Sequence, residues 1–300
     1  MDYKKILKSK KVRFGILKLM SFVPNKAMIK LQYKIKTGRR PNLKNPKRYT
    51  EKIQWYKLNY RDPLMSCCCD KYTVRKYVEE KGCGHLLNKL YAVYDRPEDV
   101  DFDALPNSFA LKCSMGSGMN YFVEDKNKED YAELVKMMKD WVKADFYTYG
   151  REWCYKNGTP KILVERLFPR NKFNDIPDYK FFCFGGEVFC LYTMIDYTDD
   201  HSKGKLGFFD CEFNQLPYFR DDFNKITDAP PKPDCFDKMV EYARVLSKDF
   251  PHVRVDFYDI DGEAIFGELT FYNASGYTTF SPDEFDYIMG EKFVLPEVKK

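Results

Sequence analysis

The stretch HVRVDFYDIDGEAIFGELTF, residues 252–271, decides the fold of the chain. Apolar and polar residues alternate on either side of the turn-like segment DIDG, which is typical of a β-hairpin. One of the two strands carries Asp256 and the other carries Glu268. Carboxylates that face each other across a sheet repel, so such a pair indicates a function that offsets the repulsion.

The length of the turn decides whether these two carboxylates meet. A two-residue turn would place Asp256 opposite Gly267, whereas a three-residue loop places Asp256 opposite Glu268. The three-residue loop also gathers apolar side chains on the other face of the hairpin, so the hydrophobic pattern favours it. Those apolar side chains are Val255, Phe257, Leu269 and Phe271. We therefore expect the two carboxylates to face each other.

The same register predicts a neighbouring pair, Arg254 opposite Thr270. Two facing acids on strands with apolar neighbours are best offset by a bound cation, and oxygen ligands beside phosphates favour Mg²⁺. The alternative is a surface pair of acids that Arg254 partly neutralises. The hairpin therefore predicts a magnesium site, with the surface pair as the competing interpretation.

Composition and charge predict a cytoplasmic protein with a basic N-terminal segment. No apolar run reaches the roughly 18–20 residues of a membrane span, and the N-terminus lacks the apolar core of a signal peptide. Residues 1–50 hold sixteen Lys and Arg and one acid, whereas the remainder holds 34 basic and 44 acidic residues. Such a segment suits an anionic membrane or an acidic polymer, and a solvated helix is the alternative. The acidic remainder argues against nucleic acid as a partner.

The numbers and spacing of the cysteines and histidines argue against disulfides, zinc sites and acyl-transfer triads. The ten cysteines form no C-x-x-C pair in a long chain, so reduced structural thiols are expected. With only three histidines in the sequence, histidine-based zinc sites and acyl-transfer triads are poor interpretations.

Hydrophobic periodicity predicts two α+β lobes behind a helical segment. Apolar residues at three- and four-residue spacing indicate helices, and alternating or continuous apolar runs indicate strands in two groups. The predicted helices cover 3–36, 49–60, 70–82, 127–144 and 235–249. The predicted strands lie near 90–95, 107–113, 119–123 and 160–168, in two hairpins at 178–195 and around 205–213, and in the hairpin described above.

Three further features could carry chemistry, and each has a structural alternative. Lys112 lies on a strand that runs into a glycine loop, which suits phosphate oxygens or a plain hairpin turn. That loop consists of Gly116, Ser117 and Gly118. Glu165 closes an apolar strand, where it would accept hydrogen bonds from a ribose or an adenine amine, or be a surface acid. Lys180 alternates within an apolar strand and either reaches an anion in a cleft or snorkels to solvent.

In this order, these elements resemble the ATP-grasp superfamily. More narrowly, five motifs look like the TupA-like ATP-grasp group, whose members occur in bacterial polysaccharide loci. The motifs are NPKRYTEKIQWYKLNYRDP, DKYTVRKYV, LKCSMGSG, DYKFFCFGGE and RVDFYDIDGEAIFGELTFY. The resemblance covers roughly residues 40–290 and implies an α+β ATP-grasp fold, in which two lobes hold ATP between them.

The resemblance implies a role for each candidate residue. The implied phosphate lysines are Lys71, Lys112 and Lys180, and the implied closing loop is Gly116, Ser117 and Gly118. The implied hinge beside adenosine is Glu165, Arg166 and Leu167. The implied metal ligands are Asp256, Glu268 and Thr270, which stands where the family usually has an asparagine. Arg254 and Lys180 are the implied catalytic residues, with Arg254 stabilising an acyl phosphate.

The resemblance also divides the chain into three parts. Residues 1–70 form the basic helical N-terminal segment, residues 71–165 the small lobe with its lead-in, and residues 166–300 the large lobe with the metal-binding hairpin. The βαβ domain that precedes the ATP lobes in many ATP-grasp enzymes is absent as a pattern. The family's acceptor site therefore cannot be carried over to this chain.

The implied function is an ATP- and Mg²⁺-dependent carboxylate–amine ligase that works through an acyl phosphate. Its substrate would be a bacterial surface polysaccharide or a uronic or amino acid building block, and its partners an amine donor and an anionic membrane contacted through residues 1–50. A glycan or sugar kinase and a glycosyltransferase are the alternatives, which amine-independent ADP release or nucleotide-sugar binding would reveal. A non-enzymatic glycan-binding protein would not need the ordered lysines, glycines and acids.

Overall fold

A computed structural model describes residues 10–171, 174–197 and 203–297 of the chain. Its helices are α1 Lys10–Leu19, α2 Asn25–Thr37, α3 Tyr49–Asn59, α4 Pro63–Cys68, α5 Val74–Glu80, α6 Tyr131–Val142, α7 Phe146–Gly150, α8 Phe236–Ser247 and α9 Glu284–Lys292. Its strands are β1 Leu90–Tyr94, β2 Phe109–Cys113, β3 Asn120–Val123, β4 Ile162–Glu165, β5 Asp178–Phe184, β6 Glu187–Ile195, β7 Lys205–Phe209, β8 Phe219–Arg220, β9 Asn224–Lys225, β10 His252–Ile260, β11 Glu263–Thr270 and β12 Phe280–Ser281.

The predicted helix over 3–36 is broken, and its first residues lie outside the described part of the chain. α1 ends at Leu19, and α2 begins only after Pro24, whose ring cannot sit inside a continuous helix. α2 ends where Gly38 adopts φ of 77° and donates its N–H to the Lys34 carbonyl, a common helix terminator. Within the described residues, the predicted single helix is thus a pair of helices joined by a short turn.

A four-stranded antiparallel sheet in the order β1-β4-β2-β3 forms one lobe. Helix α6 packs on it through the buried side chains Leu134 and Met138. Asp130 caps this helix by accepting the N–H groups of Ala132 and Glu133. The amphipathic spacing that predicts a helix in this region is therefore the spacing that covers the small sheet.

A six-stranded sheet in the order β11-β10-β5-β6-β7-β9 forms the larger lobe. Its core is aromatic, with Phe181 and Phe257 packed against each other and Phe181 against Phe236 of α8. Helix α3 joins this core, since Tyr49 meets Phe182 edge-on at 5.9 Å between ring centroids. The proposed boundaries at residues 70 and 165 stay predictions.

The decisive hairpin, β10 and β11, has the predicted register at its carboxylates. Asp256 lies opposite Glu268, and Arg254 lies opposite Thr270. The apolar side chains of the other face are buried as expected. They are Val255, Phe257, Leu269 and Phe271. The pattern of apolar residues therefore identifies the face of the hairpin that meets the core.

The predicted three-residue loop is wrong. The strands join through residues 261 and 262 alone, with φ of 55° and 81°, as in a tight hairpin turn. A bulge restores the register further along, because Phe257 pairs with Phe266 and Gly267 is left unpaired. A Cβ at position 267 would lie 3.1 Å from the Asp256 carbonyl oxygen, so this position favours glycine.

Within the described residues, no helix has both the length and the apolar character needed to cross a membrane.

Gly290 of α9 allows a close contact with the backbone at the start of α3. A Cβ at this position would lie 2.0 Å from the Lys47 carbonyl oxygen and 2.9 Å from the Tyr49 nitrogen, both backbone atoms. We expect Gly290→Ala to lower the free energy of unfolding by about 3 kcal/mol in urea melts, since the helix must move away. Gly15→Ala is the matched control, because nothing lies within 4 Å of its Cβ and alanine favours a helix. Equal stability of the two variants would contradict this packing.

Candidate active site

A cleft of about 110 Å³ lies between the two sheets. Ala110 and Lys112 of β2 line it from the small sheet, and Asp178 of β5 and Tyr258 of β10 line it from the large sheet. The connecting segment contributes Arg166, Leu167 and Phe168. The cleft is mostly apolar with a few charged groups at its edge, as binding sites for small molecules usually are.

Lys112, which lines the cleft, forms an ion pair with Glu165. The two residues lie on adjacent strands of the small sheet, and Lys112 Nζ is 2.7 Å from Glu165 Oε2. Asn88 Nδ2 donates to the same carboxylate oxygen at 3.4 Å, and an Arg75 nitrogen lies 4.0 Å from the other oxygen. Burial opposes ionisation of Glu165, but Lys112 outweighs it and lowers the pKa of the carboxyl. Glu165 thus remains charged and orients the lysine.

A second ion-pair network lies on the large sheet. Arg254 donates from Nε and Nη2 to the two oxygens of Asp256 at 2.7 and 2.6 Å, a bidentate arrangement. Lys180 faces Asp256 across β5 and β10 and reaches it at 2.9 Å. Lys180 also lies 2.5 Å from Asp178, two residues earlier on its own strand. The predicted catalytic residues are therefore held by carboxylates in this structure.

Glu268 extends this network toward the small lobe. Its Oε1 accepts from Arg254 at 3.2 Å and from the Thr270 hydroxyl at 2.8 Å. Lys71 Nζ lies 3.6 Å from its Oε2 and donates to the Gly116 carbonyl at 2.8 Å. Lys71 therefore links the glycine loop of one lobe to the hairpin of the other. Ser117 and Gly118 lie exposed at the tip of that loop.

The charged groups of the network shift one another's pKa values. Burial alone would neutralise Lys180 and Arg254, but the neighbouring carboxylates raise both pKa values well above the ordinary ones. Burial also raises the pKa of Asp178 against the pull of Lys180. Glu268 shows the reverse outcome, since Lys71 and Arg254 outweigh burial and lower its pKa to about 2. The neighbouring charges thus hold Lys180, Arg254 and Glu268 in their charged forms, whereas burial favours the neutral form of Asp178.

Three residues of the site are absent from the sequence-based predictions. Asp178 lines the cleft, and its Oδ1 is buried with no hydrogen-bond partner among the described residues. Asn273 accepts from Arg254 at 2.5 Å, and its buried Nδ2 likewise has no described partner. Arg75 approaches Glu165. Of these three residues, only Asp178 could have been found from the sequence. It lies two residues before the candidate Lys180, and residues two apart on a strand share a face.

The donor set of the hairpin fits a hard cation. Asp256 and Glu268 offer carboxylates, Thr270 a hydroxyl and Asn273 an amide oxygen, which are the ligands that Mg²⁺ prefers. Across the described residues, no cluster of three His, Cys, Asp or Glu side chains could hold a metal by itself. The residues therefore fit a magnesium ion that shares its coordination sphere with phosphate or water. Such an ion would compete with Arg254 for the same oxygens.

Two lobes with a cleft between them, lysines from both lobes and facing acids on a late hairpin define the ATP-grasp class. The chain belongs to the TupA-like ATP-grasp family, whose model matches residues 51–294. The family match confirms the predicted superfamily and fold. The roles of the individual site residues stay predictions. No curated protein sequence matches the chain.

Several solved structures are similar to part of the chain. D-alanine–D-alanine ligase from Bacillus anthracis has a TM-score of 0.41 and 16% identity over 69% of this chain and 59% of its own. The ATP-grasp ligase PsnB, solved with a precursor variant, Mg and ADP, has a TM-score of 0.40 and 14% identity over 74% of this chain and 57% of its own. Phosphoribosylamine–glycine ligase from Thermotoga maritima has a TM-score of 0.41 and 10% identity over 69% of this chain and 48% of its own. The chain thus spans less than two thirds of each of these proteins.

Proposed function

We propose that this protein is an ATP- and Mg²⁺-dependent carboxylate–amine ligase. One observation carries the proposal: basic side chains from both lobes converge on two facing carboxylates, and Lys180 connects these to Asp178 in the interlobe cleft. Lys71 and Arg254 meet at Glu268, and Lys180 meets Arg254 at Asp256. A polyphosphate is the ligand that such an arrangement of cations and metal-binding acids suits best.

The apolar part of the cleft would hold the adenine base, and the charged end would hold the phosphates. Lys112 lies where the two parts meet, so it would contact the phosphates while Glu165 holds its ammonium in place. Glu165 would also face the adenosine, next to the backbone of Arg166 and Leu167. The loop Gly116, Ser117 and Gly118 would close over the phosphates, and Lys71 would anchor it through the Gly116 carbonyl.

The chemistry proposed at the charged end needs positioning and charge neutralisation. A substrate carboxylate would attack the γ-phosphorus of ATP, forming an acyl phosphate and releasing ADP. An amine would then attack the acyl carbon, forming an amide and releasing phosphate. Lys180 and Arg254 would neutralise the charge that builds on the transferred phosphoryl group. Mg²⁺ held by Asp256 and Glu268, with Thr270 beside them, would neutralise charge on the β- and γ-phosphates.

The substrate part of the proposal comes from the family context of polysaccharide loci. The carboxylate would belong to a uronic or amino acid of a bacterial surface glycan or its precursor, and the amine donor is undefined. Such precursors are made at the inner face of the cell membrane. Residues 1–50, with their sixteen basic side chains, would hold the enzyme there by peripheral contact with anionic lipids.

A nucleotide thermal-shift experiment tests the core of this proposal. At a hundredfold excess over Kd, Mg²⁺–ATP should stabilise the wild type by about 2.7 kcal/mol, an increase of several degrees in Tm. Asp256→Asn should lose this stabilisation, because one charged metal ligand is gone. Glu263→Gln, at the exposed start of the same hairpin's second strand, should keep it. Lys112→Met provides an independent variant at the other ion pair and should also weaken the ATP effect.

The products of turnover distinguish a ligase from the two alternative functions, a kinase and a glycosyltransferase. ADP release that needs both a carboxylate and an amine supports the ligase, whereas ADP release with a glycan alone would identify a kinase. Stabilisation by UDP- or GDP-sugars without any effect of ATP would overturn the proposal in favour of a glycosyltransferase.

A further inference from the structure

An exposed apolar ridge runs along α1 into the turn before α2. We define it as Val12, Ile16, Leu19 and Phe22. Their exposed fractions are 50%, 38%, 78% and 83%. The first three are spaced by four and three residues, so they lie on one face of α1, and Phe22 follows in the turn. Large apolar side chains with this exposure mark an interaction surface when they occur together.

Basic side chains surround the ridge. Lys18, Lys26 and Lys30 are exposed on the two helices that flank the turn. After Asp2, the first fifty residues contain no further acid. A surface that combines bulky apolar groups with positive charge and lacks negative charge is complementary to an anionic lipid surface. The same charge would make two copies of this surface repel each other.

The fold holds the ridge in place from behind. Arg151 is 4% exposed and donates to the carbonyl oxygens of Met20 and Ser21, at 3.0 and 3.4 Å, where α1 ends. Phe14 stacks on Tyr149 of α7 with ring centroids 4.1 Å apart. These contacts use the inner side of the turn, so the ridge is left facing outward on a fixed support.

We infer that this ridge inserts into the interface of an anionic lipid bilayer. The inference deepens the membrane placement in the proposed function, because it names the inserting side chains, and it does not depend on the ligase chemistry. Leu19 and Phe22 would bury apolar surface among the lipid headgroups and acyl chains. The lysines beside them would contact lipid phosphates.

The support of the ridge also continues toward the proposed catalytic centre. Lys57 is 1% exposed and donates to the carbonyl of Gly150, at the end of α7, and to the carbonyl of Ser275, at 2.9 and 2.7 Å. Ser275 lies two residues after Asn273, which contacts Arg254. The ridge and the charged end of the cleft are therefore parts of one packed framework. Insertion of the ridge would fix the orientation of the cleft relative to the membrane.

Vesicle binding by the full-length protein tests the inference. The wild type should co-sediment with phosphatidylcholine vesicles that contain phosphatidylglycerol. It should bind vesicles of pure phosphatidylcholine much more weakly. The double variant Leu19→Ser and Phe22→Ser should bind the anionic vesicles about 100-fold more weakly, since two large side chains no longer insert. Val294→Ser is the matched control, because Val294 is 75% exposed outside the basic segment. Unchanged binding by the double variant would overturn the inference.

Further measurements distinguish lipid insertion from self-association of the chain. Phe22→Trp should show a blue-shifted emission that brominated lipids quench, whereas Val294→Trp should not. A dimer in light scattering that the double variant dissociates would assign the ridge to a second copy of the chain and overturn lipid insertion. ATP-dependent stabilisation in solution should be the same in the double variant and the wild type. Failure of vesicle binding is thereby distinguished from failure of the proposed ligase function.

Discussion

Arg254→Met is expected to lower the free energy of unfolding by about 3–5 kcal/mol and to abolish ATP-dependent ADP release. Arg254 is 6% exposed, and its guanidinium holds both oxygens of Asp256, which is 2% exposed. Methionine fills much of the volume but leaves a buried carboxylate with Lys180 as its remaining charged partner. Removal of one member of a buried ion pair costs this much because the other charge stays desolvated. Urea melts and an ADP-release assay measure the two effects.

Two other variants show whether the loss of stability comes from the buried charge of Arg254 or from the removal of any arginine. Arg244→Met removes a half-exposed arginine whose Nε lies 3.6 Å from Glu187 on the surface, and it should cost less than about 1 kcal/mol. Arg254→Lys keeps the charge but cannot make the bidentate contact, so it should recover part of the stability and little of the activity. A loss below about 1 kcal/mol in Arg254→Met would contradict the network described above.

The stability of the wild type should fall steeply below pH 6.5 because of His252. This side chain is fully buried, and burial lowers its pKa to about 3, with a smaller contribution from Arg254. Its Nδ1 donates to the Cys183 carbonyl, and its Nε2 accepts from the Tyr49 hydroxyl, so the neutral ring is fully bonded. Below pH 6.5 the unfolded chain gains a proton that the folded chain does not bind. Unfolding therefore becomes easier until the pH approaches 3.

Urea melts at pH 7 and pH 4 measure this effect. The wild type should lose about 3 kcal/mol more than His252→Gln between these two values, since glutamine cannot titrate and can still make both hydrogen bonds. His85→Gln is the matched control, because it removes an exposed histidine in place of the buried one. Parallel loss of stability in the wild type and His252→Gln would mean that His252 is charged in the folded protein.

Sequence patterns predicted those parts of the site that lie on one strand or one turn. Lys112 and its glycine loop follow from alternation along a strand and from the residues that tight turns require. The identity of the acids Asp256 and Glu268 follows from alternation alone, because the predicted turn length was wrong. These are properties of the local backbone, whose period is the same in every protein. The positions of the longer helices and strands agree with the structure for the same reason, apart from the break before Pro24. The hairpin predicted around 205–213 is β7 followed by an isolated bridge from Phe209 to Gln215, and the short helices α4 and α7 were not predicted.

The residues that sequence patterns missed come from contacts between distant parts of the chain. Asp178 reaches the site because β5 pairs with β10, where Asp178 lies opposite Tyr258. Asn273 is brought to Arg254 by a turn in which Ala274 and Ser275 adopt φ of 46° and 58°. Strand pairing between segments so far apart in the chain depends on the packing of the whole sheet, which local periodicity does not encode.

By itself, the sequence determined the class of fold, the identity of the acidic pair and the face on which it lies. It could do so because side-chain alternation along a strand depends on neighbouring residues alone. Only the tertiary structure decided that a two-residue turn and a bulge at Gly267 bring these acids together. It also decided which cations hold them, and that Arg151 supports an exposed apolar ridge. These features depend on burial and on distances between residues far apart in the chain, and so do the pKa values of the site.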